Sequence, residues 1–133
     1  MPTTLLEQEA RRDTLSESTV GAPIKITATT DATANELHNA IAGHLDAVWI
    51  QVHNGAGSEV DFNLVINPAT SGSTDLAAAT VTVAIPPKDS LWVLQGDVLR
   101  HDAARPYTLA GFSSGTEIRV TGYIVRSAGG SIH

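Results

Sequence analysis

The residues of this 133-residue chain that could carry chemistry are five histidines, 14 acidic side chains and two tryptophans. His38, His44 and His53 fall near one another in sequence, and Asp46 and Asp61 could join them. A metal site commonly draws two histidines from one face of one element, four residues apart on a helix or two apart on a strand. No two histidines here have either spacing, so no metal and no cofactor is expected. His38 and His53 then read as strand or turn residues at a sheet surface, and His133 is simply the last residue. His101 and Asp102 are a better acid–base candidate, although neighbours on a strand point to opposite faces and do not cooperate directly. The serines in GSE, SGS, DSL, FSSG and GSI do not form the GxSxG elbow of a nucleophilic serine. Asp61 with Asp75, or Asp97 with Asp102, form carboxylate pairs only if the fold brings them together. The expectation is a protein that is not an enzyme.

The glycines of VWIQVHNGAGSEVDFNLVIN, residues 48–67, raise the question of a phosphate cradle. A dinucleotide fingerprint needs a third glycine three residues after Gly57 and then a helix; Val60 stands there, and the residues beyond it alternate as a strand does. The stretch therefore reads as a hairpin. Val48, Ile50 and Val52 form one face of the incoming strand, Asn54 and Gly55 supply positive φ, and Val60, Phe62, Leu64 and Ile66 continue the period of two.

The same rhythm runs through the body of the chain. Ile24, Ile26 and Ala28 alternate with polar residues, LHNAIAG (37–43) adds a strand, and NPATSGSTDL (67–76) is a loop by composition. Val81, Val83 and Ile85 face inward until Pro86 and Pro87 stop the strand. Leu91, Val93 and Val98 follow, then Tyr107 and Leu109, and the last strand sets Ile118, Val120 and Ile124 against Arg119, Thr121 and Tyr123. Gly122, in mid-strand, implies a bulge or a close backbone approach. About eight strands at spacings near ten residues, with no helical stripe, predict an all-β fold: an antiparallel β-sandwich, jelly-roll-like.

The ends differ from this body. Residues 1–22 offer Leu5 and Leu6 as almost their only apolar surface and read as an N-terminal arm, with a turn or two of helix around Leu5 to Arg12. Residues 23–127 are the sandwich domain and 128–133 a flexible tail. Trp49 and Trp92 each stand between residues that alternate into the core, so parity points both indoles away from these neighbours: either the strands are covered on both faces, or the indoles project outward, toward a ligand or partner surface.

Only 17% of the chain is charged, and 8 Lys and Arg against 14 Asp and Glu leave a net charge of −6 without any basic run. That balance argues against nucleic acid as a partner. Cysteine is absent, which removes disulfides, thiolate nucleophiles and Cys-ligated zinc together. MPTTLLEQEARRD contains no apolar run of an export signal, and no run of 18 apolar residues occurs, so no membrane is expected.

From LHNAIAGHLDAVWIQVHN through IPPKDSLWVLQGDVLR to IRVTGYIVR, roughly residues 37–126, the order of landmarks resembles the small β-sandwich virion proteins of tailed bacteriophages. The shared landmarks are a D-x-V-W strand running to Asn, a Pro-containing turn, a Gly-Asp corner and a last strand with Gly-Tyr. That resemblance implies a non-catalytic virion structural protein, a decoration or cement protein on the capsid surface, present in the host cytoplasm during assembly. Its partner would be the major capsid protein or another virion protein, and it would form a trimer or dimer. A neck, tail or fibre component and a carbohydrate-binding β-sandwich module are the alternatives. The partner-binding residues expected are Leu5 and Leu6 in a neighbour's apolar groove, Arg11 and Arg12 on its acidic residues, and Trp49 and Trp92 on the sandwich.

Overall fold

A computed structural model of the chain describes residues 11–41, 44–66, 79–100 and 108–127. Among these, nine strands form: β1 (Arg11–Thr14), β2 (Ile24–Lys25), β3 (Asn35–Asn39), β4 (Leu45–Asn54), β5 (Val60–Ile66), β6 (Ala79–Ile85), β7 (Asp89–Arg100), β8 (Thr108–Ser113) and β9 (Ile118–Ser127). Every pairing is antiparallel. One sheet runs β1-β9-β4-β7 with β2 also on β9, and the other runs β3-β8-β5-β6. The pairs nest: β5 with β6, β4 with β7, β3 with β8, and β1 and β2 with β9. A nested ladder whose successive strands alternate between two sheets is a jelly roll, and the sandwich expected from the alternation is what forms.

The core between the sheets is made by the residues that parity sends inward. Val48, Ile50 and Val52 of β4 meet Ile118, Val120 and Ile124 of β9, and Phe62, Leu64 and Leu109 face them from the second sheet, all essentially without exposed surface. Gly122 interrupts the β9 row because a side chain there would run into the Trp49 carbonyl oxygen, the close backbone approach that its position implies.

The local readings need four corrections. β4 and β5 are not a hairpin: they lie in different sheets, and neither Asn54 nor Gly55 has positive φ. Asn54 works through its buried side chain, whose Nδ2 donates to the Ser58 and Ile85 carbonyls at 2.9 and 3.0 Å while Oδ1 accepts from the Ala56 N–H at 2.8 Å. It thereby ties the end of one sheet to the end of the other. Residues 11–15, secondly, belong to the sandwich. Arg11–Thr14 pair with β9, and Leu15 is buried in the core at 1% exposure. Two bulges in β7, at Val93 and Gly96, thirdly shift its parity, so Leu91, Leu94 and Leu99 pack inward and Val98 is 61% exposed. Val81, finally, shares its face with Ile85 but is 47% exposed on the edge strand β6. The Leu5 helix up to residue 10, the 67–76 loop, Tyr107, His101 with Asp102 and the 128–133 tail lie outside the described residues.

Candidate functional site

Two groups of side chains merit attention, one on each side of the β4–β9 pair. On the inner side, Asp46 precedes Val48 by two residues on β4 and Arg126 follows Ile124 by two on β9, so strand parity carries both charges into the sandwich. There they meet. Arg126 donates from Nε to Asp46 Oδ1 at 2.8 Å and from Nη2 to Oδ2 at 2.9 Å, a bidentate fork. His38, on β3 of the opposite sheet, reaches Asp46 Oδ2 from Nε2 at 2.7 Å.

His38 is fully buried, which overturns its assignment to a sheet surface; the bulge in β3 between Glu36 and His38 is the local irregularity that places it. Its second nitrogen is also occupied. The Ser16 backbone N–H donates to Nδ1 at 3.0 Å, so Nδ1 is an acceptor and Nε2 carries the proton that binds Asp46. Burial pushes the Asp46 carboxyl upward, but the hydrogen bonds from Arg126 and His38 outweigh it and hold the group at about 2. Arg126 is raised in turn, chiefly by its hydrogen bond to Asp46. The cluster pairs a histidine with an aspartate as acid–base catalysts do, yet neither ring nitrogen is open to a substrate. The hydroxyl of the same Ser16, Oγ, accepts from the Asn39 N–H at 2.8 Å. This is a clamp between two sheets.

His53 stays on the surface, where its Nδ1 lies 2.9 Å from Ser90 Oγ. Among the described residues no three His, Asp or Glu side chains gather as metal ligands.

The outer side of the same strands is different. Cα pairing sets Trp49 opposite Tyr123, Tyr123 opposite Thr14, and Arg12 opposite Val125, so these side chains share the outer face of the five-stranded sheet. The Trp49 and Tyr123 rings stack with centroids 5.0 Å apart and planes 9° from parallel. The Arg12 guanidinium lies 3.9 Å from the Tyr123 centroid. Because the strand order is β1-β9-β4-β7, Arg12 and Trp49 cover Tyr123 from its two sides, and Gly96 of β7 lies beyond Trp49. A side chain at Gly96, whose φ is +91°, would come within 3.2 Å of the indole. The rings thus stand on edge in a row. Trp92 and Val98, 45% and 61% exposed, lie on the same face of β7, with Leu45, Ala47 and Val125 half-buried beside them.

Comparison with family models, with curated proteins and with solved structures finds no match for this chain. Of the expected partner-binding residues, Arg12, Trp49 and Trp92 share one face. Arg12 is engaged with its own Tyr123 rather than left free for an acidic neighbour. Arg11 enters through its backbone, opposite Arg126, and Leu5 and Leu6 lie outside the described residues. Tyr123, which joins Arg12 to Trp49, was legible as an outward residue of the last strand; its partners were not, because no local signal names the strand that lies alongside.

Proposed function

We propose that this chain is a non-catalytic structural protein of a phage particle, a decoration or cement protein that lies against the head shell and stabilises it. The observation that carries this reading is the outer face of the five-stranded sheet: Trp92 and Val98 exposed beside a pre-stacked Arg12–Tyr123–Trp49 row. Tryptophan, tyrosine and arginine are the residues that dominate protein interfaces, and rings already locked by stacking lose little further freedom on binding. Lys25 and Arg119, paired across β2 and β9, stand exposed on this face of a chain whose net charge is −6, so it favours an acidic counterpart. Jelly rolls serve in viral shells and in lectins alike, and the fold does not choose between them.

The exposed Trp92 favours a second reading, a carbohydrate-binding module. Sugars stack on open ring faces, whereas Tyr123 is covered on both sides and Trp49 is flanked by Tyr123 and Gly96, which leaves Trp92 alone as a platform. Mass spectrometry of purified phage particles, with heads and tails analysed separately, tests the first reading: the chain is expected in the head fraction in many copies. Its presence only in tails, or in neither fraction, sinks the head assignment. Glycan binding that disappears on Trp92→Ala supports the module instead.

A further inference from the structure

The turn between β1 and β2 holds a backbone conformation that its residues do not favour. Val20 has φ 50° and ψ 36°, in the left-handed region, and Gly21 follows at φ 80°. A β-branched residue there is a steric outlier that persists only where the surroundings impose it. Val20 is also 96% exposed, so no core contact offsets the strain. Only local hydrogen bonds close the turn: Ser18 N–H to the Leu15 carbonyl at 3.0 Å, Ala22 N–H to that of Thr19 at 2.9 Å, and Ser18 Oγ to that of Ala22 at 2.7 Å.

The segment before this turn is anchored elsewhere. Residues 11–14 lie along β9, Arg12 caps Tyr123, and Leu15 is in the core. Ser16 N–H binds His38, Ser16 Oγ accepts from Asn39, and Glu17 N–H donates to the Leu37 carbonyl at 3.3 Å. Apart from the core around Leu15, every one of these partners belongs to β3 or β9, and a second copy of the chain offers the same set. A well-docked segment joined to the rest of its domain by a short strained turn is the arrangement that favours exchange between copies.

We propose that residues 11–17 exchange reciprocally between two copies, each β1 seated on the β9 of the other, with residues 18–22 opening as the hinge. Exchange keeps every docking contact and relieves two strained turns per dimer. The partner is a second copy of this chain, so the inference stands whatever surface the outer face of the sheet meets.

The test compares the full-length protein with Val20→Gly and Val20→Pro by sedimentation equilibrium over a concentration series, after equilibration in mild urea and its removal. Glycine relaxes the closed turn and is expected to weaken the dimer by about tenfold or more. Proline, restricted to negative φ, prevents the closed turn and is expected to strengthen it by a similar factor. A fourth protein carries Arg12→Cys with Val125→Cys, facing positions on β1 and β9 in a chain that has no other cysteine. Oxidised at concentrations where dimer predominates, it should run as a covalent dimer on a denaturing gel. Monomers throughout the series for wild type and Val20→Pro overturn the proposal, and so do dimers whose disulfides all lie within one chain.

Discussion

β4 and β9 carry two triads back to back, His38–Asp46–Arg126 inside the sandwich and Arg12–Tyr123–Trp49 outside it. Arg126 bonds to Asp46 on the adjacent strand, and Asp46 to His38 of the opposite sheet; Arg12 covers Tyr123 on the adjacent strand, and Tyr123 stacks on Trp49 of the next. The inner one is closed: Asp46 and His38 are fully buried and each named nitrogen and oxygen has its partner. The outer one is closed only sideways, by stacking, and its ring edges face outward beside an exposed Trp92 and Val98. Among the described residues, the buried His38–Asp46 pair is thus committed to holding two sheets together, while the outer face leaves Trp92 and Val98 exposed. Parity on two strands decides which role each residue takes.

Truncating the inner triad should have the largest effect. Asp46→Ala leaves the Arg126 guanidinium and the buried His38 without their shared acceptor, which should cost about 3–5 kcal/mol in urea denaturation. If the loss is below about 1 kcal/mol, the clamp contributes little. Acid sharpens the same point. Asp46 is held at about 2 against an ordinary 3.8, so its contribution is fully present above pH 3.8 and is lost as pH falls through 2. Unfolding midpoints between pH 5 and 2 should register a loss of about 2 kcal/mol from this group, and Asp46→Asn should flatten that part of the profile.

The outer triad should respond less. Tyr123→Ala removes one stacked pair and one cation–π contact, with an expected destabilisation of about 2 kcal/mol by the same denaturation measurement. Trp92→Ala should change stability by no more than about 0.5 kcal/mol, because a ring nearly half exposed contributes little to the core. A large loss at Trp92 would make it a packing residue and remove it from the contact surface.

The contrast between the triads also marks how far the sequence could be read. That Val48, Ile50 and Val52 lie inside and Trp49 outside follows from a period of two, which is local and survives in any sheet. The sheet that each strand joins is not local. Asn54 and Gly55 look like a hairpin turn, yet Asn54 acts through a carbonyl 31 residues away, at Ile85, and sends the chain across to the other sheet. The β7 bulges are equally silent, because an unpaired residue depends on the register of β4 beside it; Leu94 therefore joins Leu91 and Val93 against the core, and Leu99 rather than Val98 points inward. Asp46 and Arg126 could have been recognised as inward charges from parity alone. Their meeting with His38 required the jelly roll.

Sedimentation of the purified chain with isolated phage heads lacking it tests the contact surface most directly, using wild type beside the double variant Trp92→Ser, Val98→Ser. Wild type should bind saturably, and the double variant about tenfold more weakly or worse while unfolding at the same urea concentration. Equal binding by both proteins, or no binding by wild type, would contradict a function carried by the outer face of the five-stranded sheet.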